Sequence, residues 1–416
     1  MLKIAIAGCG LQAATIAGYL SLSGEKCEVA AVLDLNESAA RQRLDEKKVP
    51  LASDCRFYSS LDSFMAASPR VDGIIVGTYC ADHTETACTL EALGIPLWLE
   101  KPVAIHLDQW IRLMEHFRSS PVPVQVSLPM RVSPLVSRAK AIIDSGAAGK
   151  IHQIIGSEET SGVVYFTTWF RDAEKTGGMF MQKAVHDIDY LLYLGDMFPE
   201  SVCAMRDKLW HKGEKPYGLT CRECADKMTC PHGPGYAFEE RHMYTSFEEA
   251  EKYFSGIYSP SGEYLRPRYC AVSKDIAIED VGGCMIKGEN GPHLIHTQNF
   301  IASGAAARRG ARLVGDKGTL EIDFKKNRLV FSSSVNGGVE EIFVPTGQFS
   351  HYGGDRVLVK EFIETMKTRR RSATDLITGN GGLSTLCCLC ARESSDKGTF
   401  VNIKNFYQSF NKGGHK

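Results

Sequence analysis

Short apolar runs alternate with helical patterns along the first third of the chain. Buried strands are predicted over residues 3–7, 27–33, 72–77, 95–99 and 122–126. Each is a brief apolar run bounded by polar or turn-forming residues, as buried strands are. Strands that alternate with helices are typical of a doubly wound parallel sheet. We therefore expect an α/β fold that begins with such a sheet.

The pattern changes in the rest of the chain. An amphipathic helix is predicted over residues 138–145, and alternating strands over 318–323 and 329–331. Two late helices are predicted over 357–366 and 383–391. This mixture indicates a second α/β unit after the parallel sheet.

The length of 416 residues is that of two domains. We place the first domain at residues 1–126 and the second at 127–416. The second contains a polar, cysteine-rich segment at about 209–270 that has few periodic apolar runs. We interpret this segment as an insertion.

Composition excludes several classes of partner. The chain is 44% hydrophobic and 23% charged, which is ordinary for a soluble globular protein. Its net charge of -1 gives no reason to expect a nucleic acid or an acidic membrane surface as a partner. No apolar run is long enough to cross a bilayer, and no signal-peptide pattern is present. A cytoplasmic location is therefore expected.

A glycine-rich turn follows the first predicted strand and opens a helical pattern. Gly8 permits the tight turn, Gly10 lets a pyrophosphate approach the backbone, and Ala13 permits close packing of helix on strand. The helix that begins near Leu11 and Gln12 would present amide donors to the phosphates. The order of strand, motif and helix predicts dinucleotide binding. The alternative is that both glycines serve only the turn.

Asp34 ends the second predicted strand. Its spacing from the glycines is that of the acid that holds a ribose diol in dinucleotide-binding folds. No arginine follows it directly. An acid without an adjacent cation favours NAD over NADP, so the cofactor is predicted to be NAD.

Glu100, Lys101 and Pro102 stand together at the end of a buried strand. In an open parallel sheet, ligands bind at the carboxyl ends of the strands. Proline fixes the turn and restricts the residue before it. A lysine in a closed site can lose pKa by desolvation and act as a proton donor or acceptor. The alternative is a surface Glu–Lys pair before a loop.

A second candidate site lies on a predicted helix of the second domain. Lys183, His186 and Tyr190 fall on one helical face, and Asp189 is spaced to orient the His186 ring. Histidine is a natural general base for a carbinol proton, while Lys101 can stabilise negative charge on the same oxygen. The alternative is that His186 is a satisfied helix histidine.

Motifs along nearly the whole chain resemble those of the Gfo/Idh/MocA family, the relatives of glucose–fructose oxidoreductase and inositol dehydrogenase. In chain order they are Gly8-x-Gly10-x-x-Ala13, Asp34, Thr78 with His83, Glu100-Lys101-Pro102, Met130-Arg131-x-x-Pro134, the segment 142–151, Trp169-Phe170-Arg171-Asp172, Gly177-Gly178 with His186 and Asp189, the segment 315–321, and His351-x-Gly353-Gly354-Asp355.

The resemblance implies a Rossmann domain followed by an α/β domain with a large, mostly antiparallel sheet. One face of that sheet commonly makes the oligomer contact, so a homodimer or homotetramer is expected. Members mostly move hydride between nicotinamide and a sugar or cyclitol hydroxyl, which implies Lys101 and His186 as catalytic residues. The cofactor contacts implied beyond the glycine turn are Asp34, Thr78, Tyr79, His83, Glu100, Lys101 and Pro102.

One departure from the family pattern affects the substrate more than the cofactor. Many members carry an aspartate four residues before the histidine, where this chain has Gln182. Lys183 is a candidate contact for an anionic or carboxylated substrate. Arg171, beside an aromatic residue, can grip a carboxylate in two-point fashion. Asp189 and His351 complete the candidate substrate contacts, and ordinary packing or surface roles are the alternative for each.

Cysteines at zinc-like spacing lie in the predicted insertion. Cys221, Cys224 and Cys230 supply three ligands, and tetrahedral zinc takes four. The fourth is expected to be Cys270, which resembles a cysteine of similar insertions in some relatives, with His232 as the alternative. A structural zinc is predicted because nicotinamide already supplies the redox chemistry. Reduced free cysteines in a loop are the competing interpretation.

Three functions are compatible with these residues. The first is an NAD-dependent dehydrogenase of sugars or sugar derivatives. The second is a glycosidase that oxidises a ring hydroxyl, eliminates the aglycone, adds water and reduces the ring again; its extra base would be Lys183, Tyr79 or His351. The third is a non-catalytic NAD-dependent sensor, which retention of the candidate catalytic residues disfavours.

Overall fold

The structure is a computed structural model. It describes residues 1–233, 246, 248–249, 269–289, 291–346 and 350–412.

Six parallel strands form the first sheet. They are β1 (Leu2–Ala7), β2 (Cys27–Leu33), β3 (Leu51–Tyr58), β4 (Gly73–Val76), β5 (Leu97–Leu99) and β6 (Val124–Val126). Their order across the sheet is β3-β2-β1-β4-β5-β6, and all neighbours run parallel. From β1 the chain adds β2 and β3 on one side, and then crosses over to add β4, β5 and β6 on the other side of β1. The carboxyl ends of β1 and β4 therefore border the crevice where such sheets bind ligands.

The first sheet confirms the doubly wound prediction and adds a strand that the apolar pattern did not reveal. β3 is an edge strand, and most of its side chains are exposed or half-buried. Residues such as Ser53, Asp54 and Arg56 interrupt its apolar positions. An edge strand needs burial on fewer sides than a central one, so its sequence carries a weaker apolar signal.

The helices of the first part follow the strands in the order expected for this fold. They are α1 (Leu11–Ser21), α2 (Glu37–Glu46), α3 (Leu61–Ala67), α4 (His83–Glu91) and α5 (Leu107–Phe117).

Nine strands form the second sheet. They are β7 (Ile151–Glu159), β8 (Pro199–Asp207), β9 (Val281–Gly288), β10 (His293–Asn299), β11 (Arg308–Gly315), β12 (Gly318–Asp323), β13 (Arg328–Ser333), β14 (Val339–Phe343) and β15 (Val401–Asn402). Their order is β14-β13-β12-β11-β7-β10-β9-β8-β15. Only β7 and β10 pair parallel among these described strands. The predicted large, mostly antiparallel sheet is confirmed.

The helices of the second part are α6 (Pro134–Asp144), α7 (Val163–Thr167), α8 (Ala173–Thr176), α9 (Val185–Leu194), α10 (Gly354–Thr368), α11 (Leu383–Lys397) and α12 (Ile403–Lys412). A single π turn, Phe180–Ala184, leads directly into α9. A single 3₁₀ turn, His351–Gly353, leads into α10. Both turns carry candidate site residues to the start of a helix.

Helix α10 returns from the second sheet to cover the first. The Phe362 ring meets the Trp98 ring of β5 edge-on, with centroids 5.7 Å apart, and both side chains are fully buried. Gln125 of β6 donates from Nε2 to the Leu358 carbonyl oxygen at 2.8 Å. The two sheets therefore share a continuous core, which fixes the strand ends of the first against the helices of the second.

The two faces of the second sheet differ. Helices α9 and α11 cover one face, where Ile154 and Leu191 are fully buried. The opposite face carries apolar side chains in solvent: Ile155 is 40% exposed, Met205 77% and Met285 51%. No helix in the described part of the chain is long and apolar enough to span a membrane.

The described part of the cysteine-rich insertion has little regular structure. It joins the rest of the molecule through two isolated bridges, Lys215 with Ser273 and Thr220 with Tyr269. The remainder of this predicted insertion, apart from residues 246 and 248–249, lies outside the described residues between 233 and 269.

Candidate active site

The glycine turn lies between β1 and α1 and approaches the next strand closely. Gly8 has a φ of 81°, and a Cβ there would lie 2.4 Å from the backbone nitrogen of Thr78. Gly10 is the N-cap of α1. A Cβ on Gly77 would lie 2.7 Å from the Cβ of Ala13. Side chains at Gly8 and Gly77 would collide with the neighbouring strand and helix. The glycines thus let the turn pack closely and leave the helix N-terminus open to a pyrophosphate.

A buried polar atom supports the fit of a dinucleotide. The Thr78 hydroxyl lies at the carboxyl end of β4 and has no hydrogen-bond partner among the described residues. Buried hydroxyls are rarely left unpaired unless a ligand or water completes them. Leu11 and Gln12 begin α1 at the same edge, and Leu11 is 52% exposed. These residues fit a phosphate-bearing cofactor.

Asp34 is held where a ribose would lie. Its Oδ2 accepts from the Cys9 amide at 2.9 Å, and its Oδ1 accepts from the Asn36 amide at 2.9 Å. Arg43 of α2 brings its Nη1 to within 3.7 Å of Oδ2 and also donates to the Cys9 carbonyl oxygen at 2.6 Å. The sequence has no cation directly after Asp34. The fold supplies one, because α2 brings Arg43 close to the Asp34 carboxylate.

His83 bridges the loop that follows β4 and the loop that follows β5. Its Nδ1 lies 2.7 Å from the Pro102 carbonyl oxygen, and its Nε2 lies 3.2 Å from the Thr78 carbonyl oxygen. Burial lowers the pKa of His83 to about 4, so the ring is neutral at ordinary pH. A neutral imidazole has only one N–H donor. The shorter contact indicates that Nδ1 carries this proton and donates it to the Pro102 carbonyl oxygen. His83 therefore positions the loops.

Lys101 links the two sheets. It follows β5, and its Nζ donates to the Gln182 carbonyl oxygen at 2.8 Å, on the π turn that precedes α9. The Lys101–Pro102 peptide bond is cis. Burial lowers the pKa of Lys101 to about 8. Glu100 beside it is buried and accepts from the Trp98 indole at 2.9 Å, and burial raises its pKa to about 7.

His186 lies in the first turn of α9 and is only 3% exposed. Its Nδ1 has no hydrogen-bond partner among the described residues. Burial, followed by the charge of Lys101, lowers the pKa of His186 well below its usual value. The ring is therefore neutral at ordinary pH, and its Nδ1 is available to a bound ligand.

Asp189 does not orient the His186 ring as we predicted. It is fully buried and forms a two-point ion pair with Arg131, whose Nε donates to its Oδ2 at 2.9 Å. Arg131 also donates to the Ala373 carbonyl oxygen at 3.1 Å. A buried carboxylate needs such compensation. The pair comes from residues 58 positions apart, so local spacing gave no sign of it.

The ring next to His186 is that of His351. Their centroids lie 5.2 Å apart. The Nδ1 of His351 lies 2.8 Å from Oδ2 of Asp355 in α10, which is fully buried. His351, Tyr352 and Gly353 have φ values of 48°, 55° and 87°. Consecutive non-glycine residues in this region are strained and cluster at functional sites. An i, i+4 His–Asp spacing in the sequence was the available signal for this pair.

Two cations and two carboxylates form a buried cluster behind His186. Lys183 lies 3.0 Å from Glu158 of β7. Arg309 of β11 donates to both oxygens of Asp187, at 3.0 and 2.8 Å. Lys183, predicted as a substrate contact, is thus paired inside the protein. Alternation along β7 and β11 aims Glu158 and Arg309 inward, but only the tertiary pairing shows where they meet.

Gln182 and Arg171 also make internal contacts. Gln182 is buried and donates from Nε2 to the Thr176 carbonyl oxygen at 2.8 Å. Arg171 is 4% exposed and pairs with Asp275 at 2.5 Å. It also donates to the Cys270 carbonyl oxygen at 3.2 Å. Arg171 therefore anchors the segment after the insertion, and its role in substrate contact stays a prediction.

Two aromatic residues from distant parts of the chain meet near the end of β4. Tyr79, which follows β4, meets Trp169 edge-on with centroids 4.9 Å apart. Lys175 lies 6.0 Å from the Tyr79 ring. The sequence motifs named both aromatic residues but did not reveal that the fold brings them together.

The predicted zinc site is not supported. Among the described residues, which include Cys221, Cys224, Cys230, Cys270 and His232, no group of three or more His, Cys, Asp or Glu side chains is placed to hold a metal. Other contacts hold these segments: the Cys270 amide donates to the Leu219 carbonyl oxygen at 2.7 Å, and the His232 ring lies against aromatic rings. Zinc-like spacing is local, whereas four ligands must also converge in space.

Comparison with known proteins identifies the family. Residues 2–128 match the oxidoreductase family with an NAD-binding Rossmann fold. Residues 136–321 match the GFO/IDH/MocA C-terminal domain. The chain belongs to the Gfo/Idh/MocA oxidoreductase family.

Two sequence relatives and one solved structure of the same fold show what this chain is similar to. The oxidoreductase YteT of Bacillus subtilis is 23% identical over 408 residues, which cover 89% of this chain and 90% of YteT. Inositol 2-dehydrogenase 2 of Saccharopolyspora erythraea is 27% identical over 195 residues, 46% of this chain and 53% of that enzyme. Levoglucosan dehydrogenase, solved with NADH and levoglucosan, shares the fold with a TM-score of 0.73 and 14% identity, covering 97% of this chain and 99% of its own.

We predict that Asp34→Ala narrows the preference of this family member for NAD over NADP by roughly tenfold. The substitution removes the carboxylate that would repel a 2′-phosphate and releases Arg43, 3.7 Å away, to bind it. Fluorescence titration of both cofactors measures the ratio. The exposed Asp54 serves as the control, as Asp54→Ala. Tighter NADP binding by the unaltered protein, or an unchanged ratio in Asp34→Ala, contradicts the prediction.

Proposed function

We propose that the protein is an NAD-dependent dehydrogenase that transfers hydride between nicotinamide and a hydroxyl group of a sugar or sugar derivative. The observation that carries the proposal is the junction of Lys101 and His186. Lys101 comes from a strand end of the first sheet, yet it bonds to the turn that begins the His186 helix. Two acid–base groups, one at a strand end of the first sheet and one on helix α9, thus lie in one buried region.

Each residue has a defined part in this chemistry. NAD, when bound in the glycine cradle, supplies the carbon that accepts hydride. The neutral ring of His186 accepts the hydroxyl proton, since burial keeps the ring uncharged beforehand. The Lys101 ammonium stabilises the negative charge that develops on the same oxygen. Tyr79 and Trp169 lie edge to face with each other, and in this proposal they border the substrate.

The relatives support a polyol or sugar as the substrate. Inositol 2-dehydrogenase 2 acts, by its name, on a cyclitol, and levoglucosan dehydrogenase acts on an anhydrosugar. Both names describe secondary alcohols on a ring. A general base and a cation at one oxygen are the groups such a substrate requires.

The His351–Asp355 pair favours a second candidate function. A glycosidase that works by transient oxidation needs an extra base near the ring carbon next to the oxidised one. Of the three bases considered, Lys183 is paired with Glu158 and Tyr79 lies against Trp169. His351, oriented by Asp355 and 5.2 Å from His186 by ring centroids, is the best placed of the three.

We also propose that the open face of the second sheet is the contact of a homodimer or homotetramer. Ile155, Met205 and Met285 expose apolar surface there, and exposed apolar patches commonly mark interaction sites. Light scattering should give two or four chains per particle. Met205→Glu should shift the particle toward monomer, whereas Leu22→Glu, at another exposed apolar residue, should not. A monomeric protein contradicts this assembly.

We predict that Lys101→Ala and His186→Ala each lower turnover by about 10²–10⁴ while NAD still binds. Neither residue belongs to the glycine cradle, so cofactor affinity should stay close to that of the unaltered protein. Lys150→Ala and His293→Ala, both at exposed positions, are the matched controls. A His186→Ala protein with near-normal turnover would remove His186 from the mechanism.

One assay separates the candidate functions. Free sugars, cyclitols and chromogenic glycosides are supplied with NAD, and NADH absorbance and aglycone release are followed together. Net NADH identifies the dehydrogenase. Release without net NADH identifies the glycosidase. If NAD binds but no compound of the panel gives either signal, both enzyme functions are contradicted and the sensor is favoured.

A further inference from the structure

A cavity of about 420 Å³ opens beside His351. It lies between the β12–β13 turn and the approach to α10. The rings of Phe324 and Tyr352 line it, with centroids 4.9 Å apart. Asn327 and Thr346 line its polar side, where the Thr346 hydroxyl donates to the Asn327 side-chain oxygen at 3.2 Å. Aromatic rings with a few polar groups are typical of small-molecule sites of this size.

The cavity begins where the proposed chemistry takes place. His351 belongs both to its lining and to the contact with His186, at 5.2 Å between ring centroids. A molecule that places one hydroxyl at His186 would therefore extend past His351 into this space. The cavity is the continuation of the candidate active site.

Its charged lining is cationic. Arg309 and Lys325 both contribute to the lining, and none of the described lining residues is acidic. Arg309 is 7% exposed and reaches the cavity from the buried cluster. Lys325 is exposed and has no ion-pair partner among the residues that the structure describes. Its neighbour Lys326 differs, because it pairs with Asp323 at 3.7 Å.

The buried cluster behind Arg309 is balanced within itself. Arg309 donates to both oxygens of Asp187, at 3.0 and 2.8 Å, and Lys183 lies 3.0 Å from Glu158. Lys325 has no such pairing among the described residues, so its ammonium is the positive charge that the cavity offers to an anion.

We propose that this cavity is a subsite for a sugar unit that bears an anionic group, a carboxylate or a phosphate. The Lys325 ammonium would pair with that group, the sugar ring would lie against Tyr352, which the fully buried Phe324 supports from behind, and Asn327 and Thr346 would meet its hydroxyls. The inference rests on the proposed function, since it names the substrate class of that same site. It also reassigns the anion contact from Lys183 and Arg171, which are paired inside the protein.

Calorimetry on the NAD-saturated protein tests the subsite. The probes are the gluco, galacto and manno hexuronates, the corresponding hexose 6-phosphates, the neutral hexoses and inorganic phosphate. At low salt, at least one anionic sugar should bind about tenfold more tightly than its neutral counterpart, the effect of one favourable charge pair. The preferred probe tells whether the anion is carboxylate or phosphate. Lys325→Gln should abolish the difference, and Lys326→Gln should leave it intact.

Three results would overturn the subsite. The first is equal affinity for neutral and anionic sugars. The second is an equal loss of the anionic preference in Lys325→Gln and Lys326→Gln. The third is binding of inorganic phosphate as tight as that of the anionic sugar, which would indicate an anion site without sugar recognition. The proposed function fails differently. Lys325-dependent binding with no NADH and no aglycone release would retain the subsite and refute the chemistry. Formation of NADH from neutral sugars, with no preference for anionic sugars, would retain the dehydrogenase chemistry and refute the subsite.

Discussion

Desolvation of the Lys101 amine is the constraint on which the rest of the site depends. The amine lies where the end of one sheet meets the helix that the other sheet supports, and it donates to the Gln182 carbonyl oxygen at 2.8 Å. Loss of water lowers its pKa to about 8, so a small change in surroundings alters its charge. Helix α10 packs Phe362 against Trp98 of the first sheet, which holds both halves of the site in register.

The charge of that amine affects the protonation and the pairing of the ionisable residues around it. His186 cannot also carry charge, because burial and Lys101 oppose it. Glu100 is buried beside the amine and its pKa is raised by that burial. The pairing of Lys183 with Glu158 and of Arg309 with Asp187 confines most of the remaining charge behind the histidine. The site therefore combines a neutral imidazole with one adjustable cation, which are the groups that the proposed alcohol oxidation requires.

The sequence revealed the features that local pattern encodes. The first sheet, the glycine turn and the strand-end position of Lys101 follow from short apolar runs and fixed spacing. The internal ion pairs did not follow, because their partners are distant in the chain: Arg131 and Asp189 are 58 residues apart, and Arg309 and Asp187 are 122 apart. The zinc prediction is not supported, because local cysteine spacing does not set the geometry of four ligands. No group among the described residues is placed to hold a metal.

The pH dependence of kcat/KM at saturating NAD tests the central claim most directly. If the charged Lys101 amine stabilises the developing oxyanion, activity should fall as pH rises through about 8, where the amine loses its proton. In Lys101→Arg, which keeps its charge to above pH 12, the alkaline fall should move upward by at least about one pH unit, whatever activity remains. An alkaline fall that is unchanged in Lys101→Arg, or activity that keeps rising above pH 8 in the unaltered protein, would contradict the account.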